Sequence, residues 1–392
     1  MAAAAGQDHT VLLTSEGTAV ACGWNGDGQC DIPELVAGQI YTQVSAGQDH
    51  TVLLTSGGTD VACGDNGYGQ CNIPDLVAGQ TYTQVAAGRD QTVLLTSEGT
   101  AVACGFNGYG QCNIPDLVAG QTYTQVAVGY LHTVLLTSEG TAVACGFNGE
   151  GRCDIPDLVG GQTYTQVAAG GGHTVLLTNE GAAVACGYNG YGQSDIPNLV
   201  AGQTYTQVAA GRDQTVLLTS EGTAVACGWN GDGQCDIPEL VAGQIYTQVA
   251  TGHLHTVLLT SGGTAVAGGN NRDGQCNIPD LAAGQTYAAL DMRALLLQAW
   301  LDGDSIRFVA LGGVERYRVA AAHSSCIAGV RDQLMSGCRA GRFGPGVTRV
   351  DAVLPDGRLL SDVAAEETVA SAFGLAAPAC AASDGHSSEH SV

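Results

Sequence analysis

The sequence predicts a mainly β chain: a seven-bladed β-propeller of four-stranded blades, followed by a small α+β domain. Three observations carry this. His9, His50, Gln91, His132, His173, Gln214 and His255 stand 41 residues apart, with no insertion or deletion between them. Each period holds four short strand-like runs split by Gly-rich or Ser-Glu-Gly turns, and four strands per roughly 40 residues make one propeller blade. The period then stops near residue 290, and a different pattern follows.

The fourth copy shows the unit. Its runs are Tyr123 to Ala127, Thr133 to Thr137, Ala142 to Gly146, and Cys153 to Pro156. The second run, Val134-Leu135-Leu136, is apolar on both faces, as expected of a strand sandwiched between neighbouring sheets. In the fourth run, Pro156 and its equivalents Pro33, Pro74, Pro115, Pro197, Pro238 and Pro279 cannot donate a ladder hydrogen bond. That run is therefore expected as the outer edge strand. The Asn-Gly pairs at 25–26, 107–108 and 148–149 suit turns with positive φ. The first copy begins with Met1 to Ala5 where others have Tyr-Thr-Gln-Val-Ala, and an eighth start, Thr286-Tyr287, follows the seventh copy. One or both of these ends is expected to complete the first strand of the first blade.

Composition narrows the function. Residues 1–290 hold 25 acidic side chains against Arg89, Arg152, Arg212 and Arg272, and there is no lysine in the chain. So acidic a surface repels phosphate backbones and anionic lipid, so neither nucleic acid nor membrane is an expected partner. Without lysine there is no Schiff base and no P-loop phosphate ligand. No apolar run approaches the roughly 18 residues of a membrane span, and the start lacks the regions of a signal peptide. A cytoplasmic protein is expected, with a nuclear one as the alternative. Twelve of the 15 cysteines recur at two repeat positions, Cys22 and Cys30 being the first pair. Ser194 and Gly268 break two of these pairs singly, and no C-x-x-C occurs, so buried free thiols are expected rather than disulfides or zinc.

The Gly-x-x-His-Thr-x-Leu-Leu run with the following Gly-x-Asn-x-x-Gly-Gln turn resembles the repeat of the regulator of chromosome condensation superfamily. The Gly-Gln-Cys-Asn-Ile-Pro ending is similar to that of the β-lactamase-inhibitor propeller. Cys22 and its equivalents depart from the family by replacing a Trp. The resemblance implies a seven-bladed propeller over residues 1–290. It also brings two alternative functions: guanine-nucleotide exchange on a small GTPase, known for a founding member, and substrate recognition in a HERC-like ubiquitin ligase system. Only about 100 residues follow the ring, too few for the ligase's own catalytic domain.

Residues 291–302 read as a linker, helical in character. Residues 303–375 then run strand, strand, helix (Cys326 to Ser336) and strand, ending in Asp356-Gly357-Arg358-x-Leu360-Ser361-Asp362. This order resembles the ubiquitin-like β-grasp fold and implies a second protein partner. It lacks a terminal Gly-Gly, and residues 376–392 read as a disordered tail.

No catalytic residues and no cofactor are expected. Gln91 and Gln214 replace histidine in two copies and cannot do its acid–base or metal chemistry, so the histidine series reads as structural. Asn25, Asp27, Gly28 and Glu34 fall at calcium-loop offsets but lack a first ligand and flanking helices. The copies differ mainly in the first-to-second and third-to-fourth turns, which share one face of the disc. The candidate protein-binding residues are therefore Asp8, Trp24, Asp49, Tyr68, Phe106, Tyr109, Tyr130, Phe147, Tyr188, Tyr191, Trp229 and His253. Aromatics mixed with Asp suit a protein partner, a basic one by charge.

Overall fold

The computed structural model describes residues 2–36, 38–287, 294–302, 305–310, 315–320 and 349–353. The chain divides into two units, Met1–Leu290 and Asp291–Val392. Among the described residues there is no helix.

The first unit contains seven three-stranded antiparallel sheets, each formed by consecutive strands. The sheet of the fourth copy comprises Tyr123–Val128, His132–Thr137 and Ala142–Gly146. Its middle strand is buried throughout. Val134 and Leu135 are fully enclosed because each sheet lies between two others. Burying a leucine in this way contributes about 1.5–3 kcal/mol.

Each sheet is tied to the next by side chains that recur with the repeat. His9 Nε2 meets the Thr51 hydroxyl at 2.9 Å, and Thr51 in turn donates to the Gln29 carbonyl at 2.8 Å. The threonine has one proton and commits it to that carbonyl, so it accepts from histidine, which must carry its proton on Nε2. The same bridge joins His50 to Thr92, His132 to Thr174, His173 to Thr215 and His255 to Thr10. Gln91 and Gln214 replace it with amide bonds to the Gly129 and Gly252 carbonyls. The histidines are thus struts between sheets. Burial drives their pKa down to about 3 or 4, so the rings are neutral at pH 7.

The ring closes on both of its ends. Ala3–Ala5 pairs with the first middle strand, Ala3 opposite Leu12. Tyr287 bridges Thr14, as Tyr41 does Thr55. His255 of the last sheet reaches Thr10 of the first, and Ala2 N–H donates to Gln248 Oε1 at 3.1 Å. One strand position is therefore filled by two pieces of chain lying at opposite ends of the repeat array. The repeated sheets and this closure make a β-propeller.

Three expectations need correction. The Cys-Asp-Ile-Pro runs are not strands: the sheets have three strands, and the Pro33 carbonyl accepts instead from the Tyr41 hydroxyl of the next copy at 2.7 Å. The positive φ belongs to Gly23 and Gly28, not to Gly26. Gly26 is needed for another reason, since a Cβ there would lie 2.4 Å from the Trp24 ring, and Gly108 and Gly149 make the same room for Phe106 and Phe147. The twelve described cysteines are half-buried rather than buried, with free thiols that burial pushes up to about 11 or 12 for most of them, Cys22 and Cys63 among the highest.

In the second unit, Ala294–Asp302, Ser305–Ala310, Glu315–Ala320 and Arg349–Val353 form one four-stranded sheet. The 294–302 segment, expected as a helical linker, is a central strand, antiparallel to Ser305–Ala310 and parallel to Arg349–Val353. The expected hairpin of the second and third strands is present. The helix expected at Cys326 to Ser336 and the tail at 376–392 lie outside the described residues.

Candidate interaction face

The two variable turns of each copy meet through the backbone. Trp24 N–H donates to the Asp8 carbonyl, and Asp65, Phe106, Phe147, Tyr188, Trp229 and Asn270 repeat that bond to the residue before each strut position. This places all twelve candidate residues on the same face, in an inner and an outer ring.

The outer ring is aromatic over much of its arc. Tyr68, Phe106, Tyr109 and Phe147 stack edge to face in series, with centroids 5.2, 6.0 and 5.2 Å apart. Tyr188, Tyr191 and Trp229 make a second series at 5.8 and 5.0 Å. The turn residue of one sheet thus touches the aromatic of the next. Edge-to-face pairs of this kind are worth about 0.5–1.5 kcal/mol beyond area burial. The rings nevertheless stay open: Tyr68 is 59% exposed, Tyr109 51% and Trp229 42%. Tyr188, Tyr191 and Trp24 are also exposed, while Phe106 and Phe147 are half-buried. Packing between sheets and exposure to solvent are combined in the same residues. Trp24 lies outside both aromatic series.

The other sector is acidic. Asp8 and Asp49 are half-buried, each held by its neighbouring glutamine amide, Gln7 at 3.0 Å and Gln48 at 2.9 Å. Their pKa values are raised, first by burial and then by nearby carboxylates: Asp273 for Asp8, and Asp27, Asp8 and Asp65 for Asp49. A cation arriving there would relieve that repulsion.

The inner ring surrounds the end of the central channel. Successive turns are linked around it by bonds such as Gln48 N–H to Gly88 O, Tyr130 N–H to Gly170 O and His253 N–H to Gly6 O. Tyr130 and His253, from the fourth and seventh sheets, meet edge to face at 5.9 Å across this opening.

Reading the candidates along the chain missed Arg152. It occupies the position of the buried glutamines Gln29, Gln70, Gln111, Gln193, Gln234 and Gln275, and is itself only 5% exposed. Its guanidinium donates to the Gly171 carbonyl at 2.8 Å, pairs with Glu150, and lies 5.0 Å from the Phe147 ring centre. It fills the gap between the two aromatic series, where Glu150 replaces a tyrosine. The signal was available: Arg152, Glu150 and the Gly171-Gly172 pair are all departures confined to adjoining copies.

Six segments, residues 2–29, 41–70, 82–111, 123–152, 164–193 and 205–234, match the model of the regulator of chromosome condensation (RCC1) repeat. These are RCC1-type repeats. The solved structures similar to this RCC1-type ring share its fold at low identity. Human WBSCR16 aligns with a TM-score of 0.56 at 21% identity, covering 65% of this chain and 85% of that one. The CRINKLY ectodomain of the Arabidopsis thaliana receptor kinase ACR4 aligns at 0.55 with 16% identity, over 70% and 96% of the two chains. The ectodomain of the Physcomitrella patens receptor kinase CR4 aligns at 0.55 with 15% identity, over 69% and 74%. No curated protein matches the chain.

Proposed function

We propose that the chain is a non-enzymatic interaction scaffold, whose aromatic and acidic face grips a basic protein partner. The observation that carries this reading is the pair of edge-to-face aromatic series that remain exposed beside half-buried, unneutralised carboxylates. Exposed tyrosine and tryptophan held rigid by their neighbours give large contact area at little entropic loss, the property of interface hot spots. The ring is read as seven-bladed, with the Ile-Pro segments lying along the outer edge that a fourth strand would take. The second unit is read as ubiquitin-like and as the contact for a second protein: its first strand pairs antiparallel with the next and parallel with a later one, as a β-grasp sheet requires. A cytoplasmic location goes with this reading.

The test compares affinity capture from native lysate by the full chain and by a Tyr68→Ser, Tyr109→Ser, Tyr191→Ser variant of equal thermal stability. Proteins retained by the first and lost with the second are expected, and they should elute with salt. An identical captured set from both would refute the reading. Accelerated nucleotide release from a small GTPase would replace it with the exchange-factor alternative.

A further inference from the structure

The opening of the central channel on the variable face contains a cavity of about 100 Å³, lined by the inner turns of all seven sheets. That is room for roughly three water volumes. Gln7, Gln48, Tyr130, Arg212 and His253 bring functional side chains to it.

Their hydrogen-bonding state is lopsided. The Tyr130 ring keeps part of its surface open, but its hydroxyl is closed off from solvent and has no hydrogen-bond partner. Leaving such a group unpaired costs about 1–3 kcal/mol. The Arg212 guanidinium donates to His253 Nε2. That nitrogen is therefore the acceptor of a neutral imidazole, and the ring proton sits on Nδ1 as a further donor. Burial and Arg212 hold His253 neutral by pushing its pKa down to about 4. One amide N–H each of Gln7 and Gln48 is committed to Asp8 and Asp49.

The charge at this point also departs from the rest of the ring. Residues 1–290 contain four arginines, and two of them, Arg89 and Arg212, act on the Tyr130 phenol. Asp8 and Asp213 oppose them there. Asp90 and Asp213 pair with the two guanidiniums through Nε at 3.3 and 3.1 Å, and Arg212 is the one that lines the mouth. An anionic oxygen pair would meet the His253 imidazole N–H and the Arg212 guanidinium, and a turn of the Tyr130 side chain toward the mouth would add its phenol O–H. A cation would meet the Arg212 guanidinium charge, with only neutral oxygens lining the mouth to accept it, those of the Gln7 and Gln48 amides and the phenol.

We propose that the channel mouth is a binding site for a carboxylate group, with Tyr130 and His253 donating to its oxygens and Arg212 supplying the charge. The carboxylate belongs either to a small organic acid or to an acidic side chain of a polypeptide. This site is independent of the outer aromatic ring and of the basic partner proposed for it.

The test is a titration of the full chain, labelled with 15N-histidine, with sodium acetate against sodium chloride at matched ionic strength. The His253 signal is assigned through a His253→Gln variant. A saturable shift in the millimolar range is expected with acetate only. Tyr130→Phe keeps the ring and removes the donor; it should weaken binding roughly 3- to 10-fold, the size of one net hydrogen bond, with a melting temperature equal to or above that of the parent. Arg212→Gln should abolish saturation. A second arm uses a blocked glutamyl peptide and its glutaminyl counterpart. Tighter binding of the glutamyl peptide than of acetate assigns the site to a polypeptide, and acetate binding alone assigns it to a free acid. Equal shifts in chloride, an unchanged affinity in Tyr130→Phe, or saturation by methylammonium in place of acetate would overturn the proposal.

Discussion

Five neutral histidines buried between sheets make the ring sensitive to mild acid. The perturbation is replacement of His9, His50, His132, His173 and His255 by glutamine, the residue the chain itself places at 91 and 214. In the folded ring these imidazoles have pKa values of about 3 for His9 and His132 and about 4 for His50, His173 and His255, against 6.5 in the unfolded chain. The unfolded state therefore binds more protons below pH 6.5. The histidine contribution to stability is complete above that value and is lost as the pH falls toward 4 and 3. At pH 5.5 each histidine forfeits on the order of 1 kcal/mol, and the five together several kcal/mol. Set against a typical total of about 5–15 kcal/mol, this brings the ring close to unfolding between pH 5.5 and 5. Asp8, Asp49, Asp60, Asp90 and Asp213 have raised pKa values, so their effect runs the other way and cannot produce the loss. Urea midpoints followed by far-ultraviolet circular dichroism at pH 7, 6, 5.5 and 5 should fall steeply for the parent and stay nearly level for the five-fold variant. A parent midpoint that is flat over this range, or a variant that falls as steeply, would refute the strut assignment.

Three further outcomes can be measured on the same material. Leu135→Ala removes a fully enclosed side chain between sheets and should destabilise the ring by about 2–5 kcal/mol in urea unfolding, with the fold retained. Tyr287→Ala removes the closing residue and should cost about 3–5 kcal/mol, with faster protease cleavage near Ala2; Tyr123→Ala, within the array, serves as the comparison. Arg152→Gln restores the residue found in the other copies and should be neutral or stabilising by thermal melt, whereas Glu150→Gln, which strands the buried guanidinium, should destabilise.

What the sequence made legible follows from physical redundancy. Each copy repeats the same two-sided apolar run, so seven middle strands such as His132–Thr137 speak with one voice. The closing role of Tyr287 was readable for the same reason, because it keeps the phase of Tyr41 and Tyr246. Ile32-Pro33 and its equivalents misled, since a β-branched residue beside proline suits both an edge strand and an irregular segment. At Ala294–Asp302 the run Leu295-Leu296-Leu297 fits a helix or a strand equally, and the partner strand that decides it lies some 50 residues on. On the candidate face, identity told which residues vary, but not that Tyr68 and Phe106 would stack across a sheet boundary. Arg152 was obscured because one substituted copy among seven looks like noise until its neighbours are compared.

The divided first strand has a consequence for how such a chain can change. Since every strut joins a copy only to the next, no copy is privileged as the beginning, and the break between Tyr287 and Ala2 is a matter of phase rather than of structure. Cutting the chain at an equivalent point in another copy and joining the existing gap should yield the same ring from a permuted gene. Duplication or loss of a whole 41-residue unit leaves every local contact intact and alters only circumference. An insertion inside a strand shifts its register against both neighbours, whereas one in a surface turn is absorbed where it occurs, so the pairing of Tyr287 with Thr14 selects where length can change rather than how much.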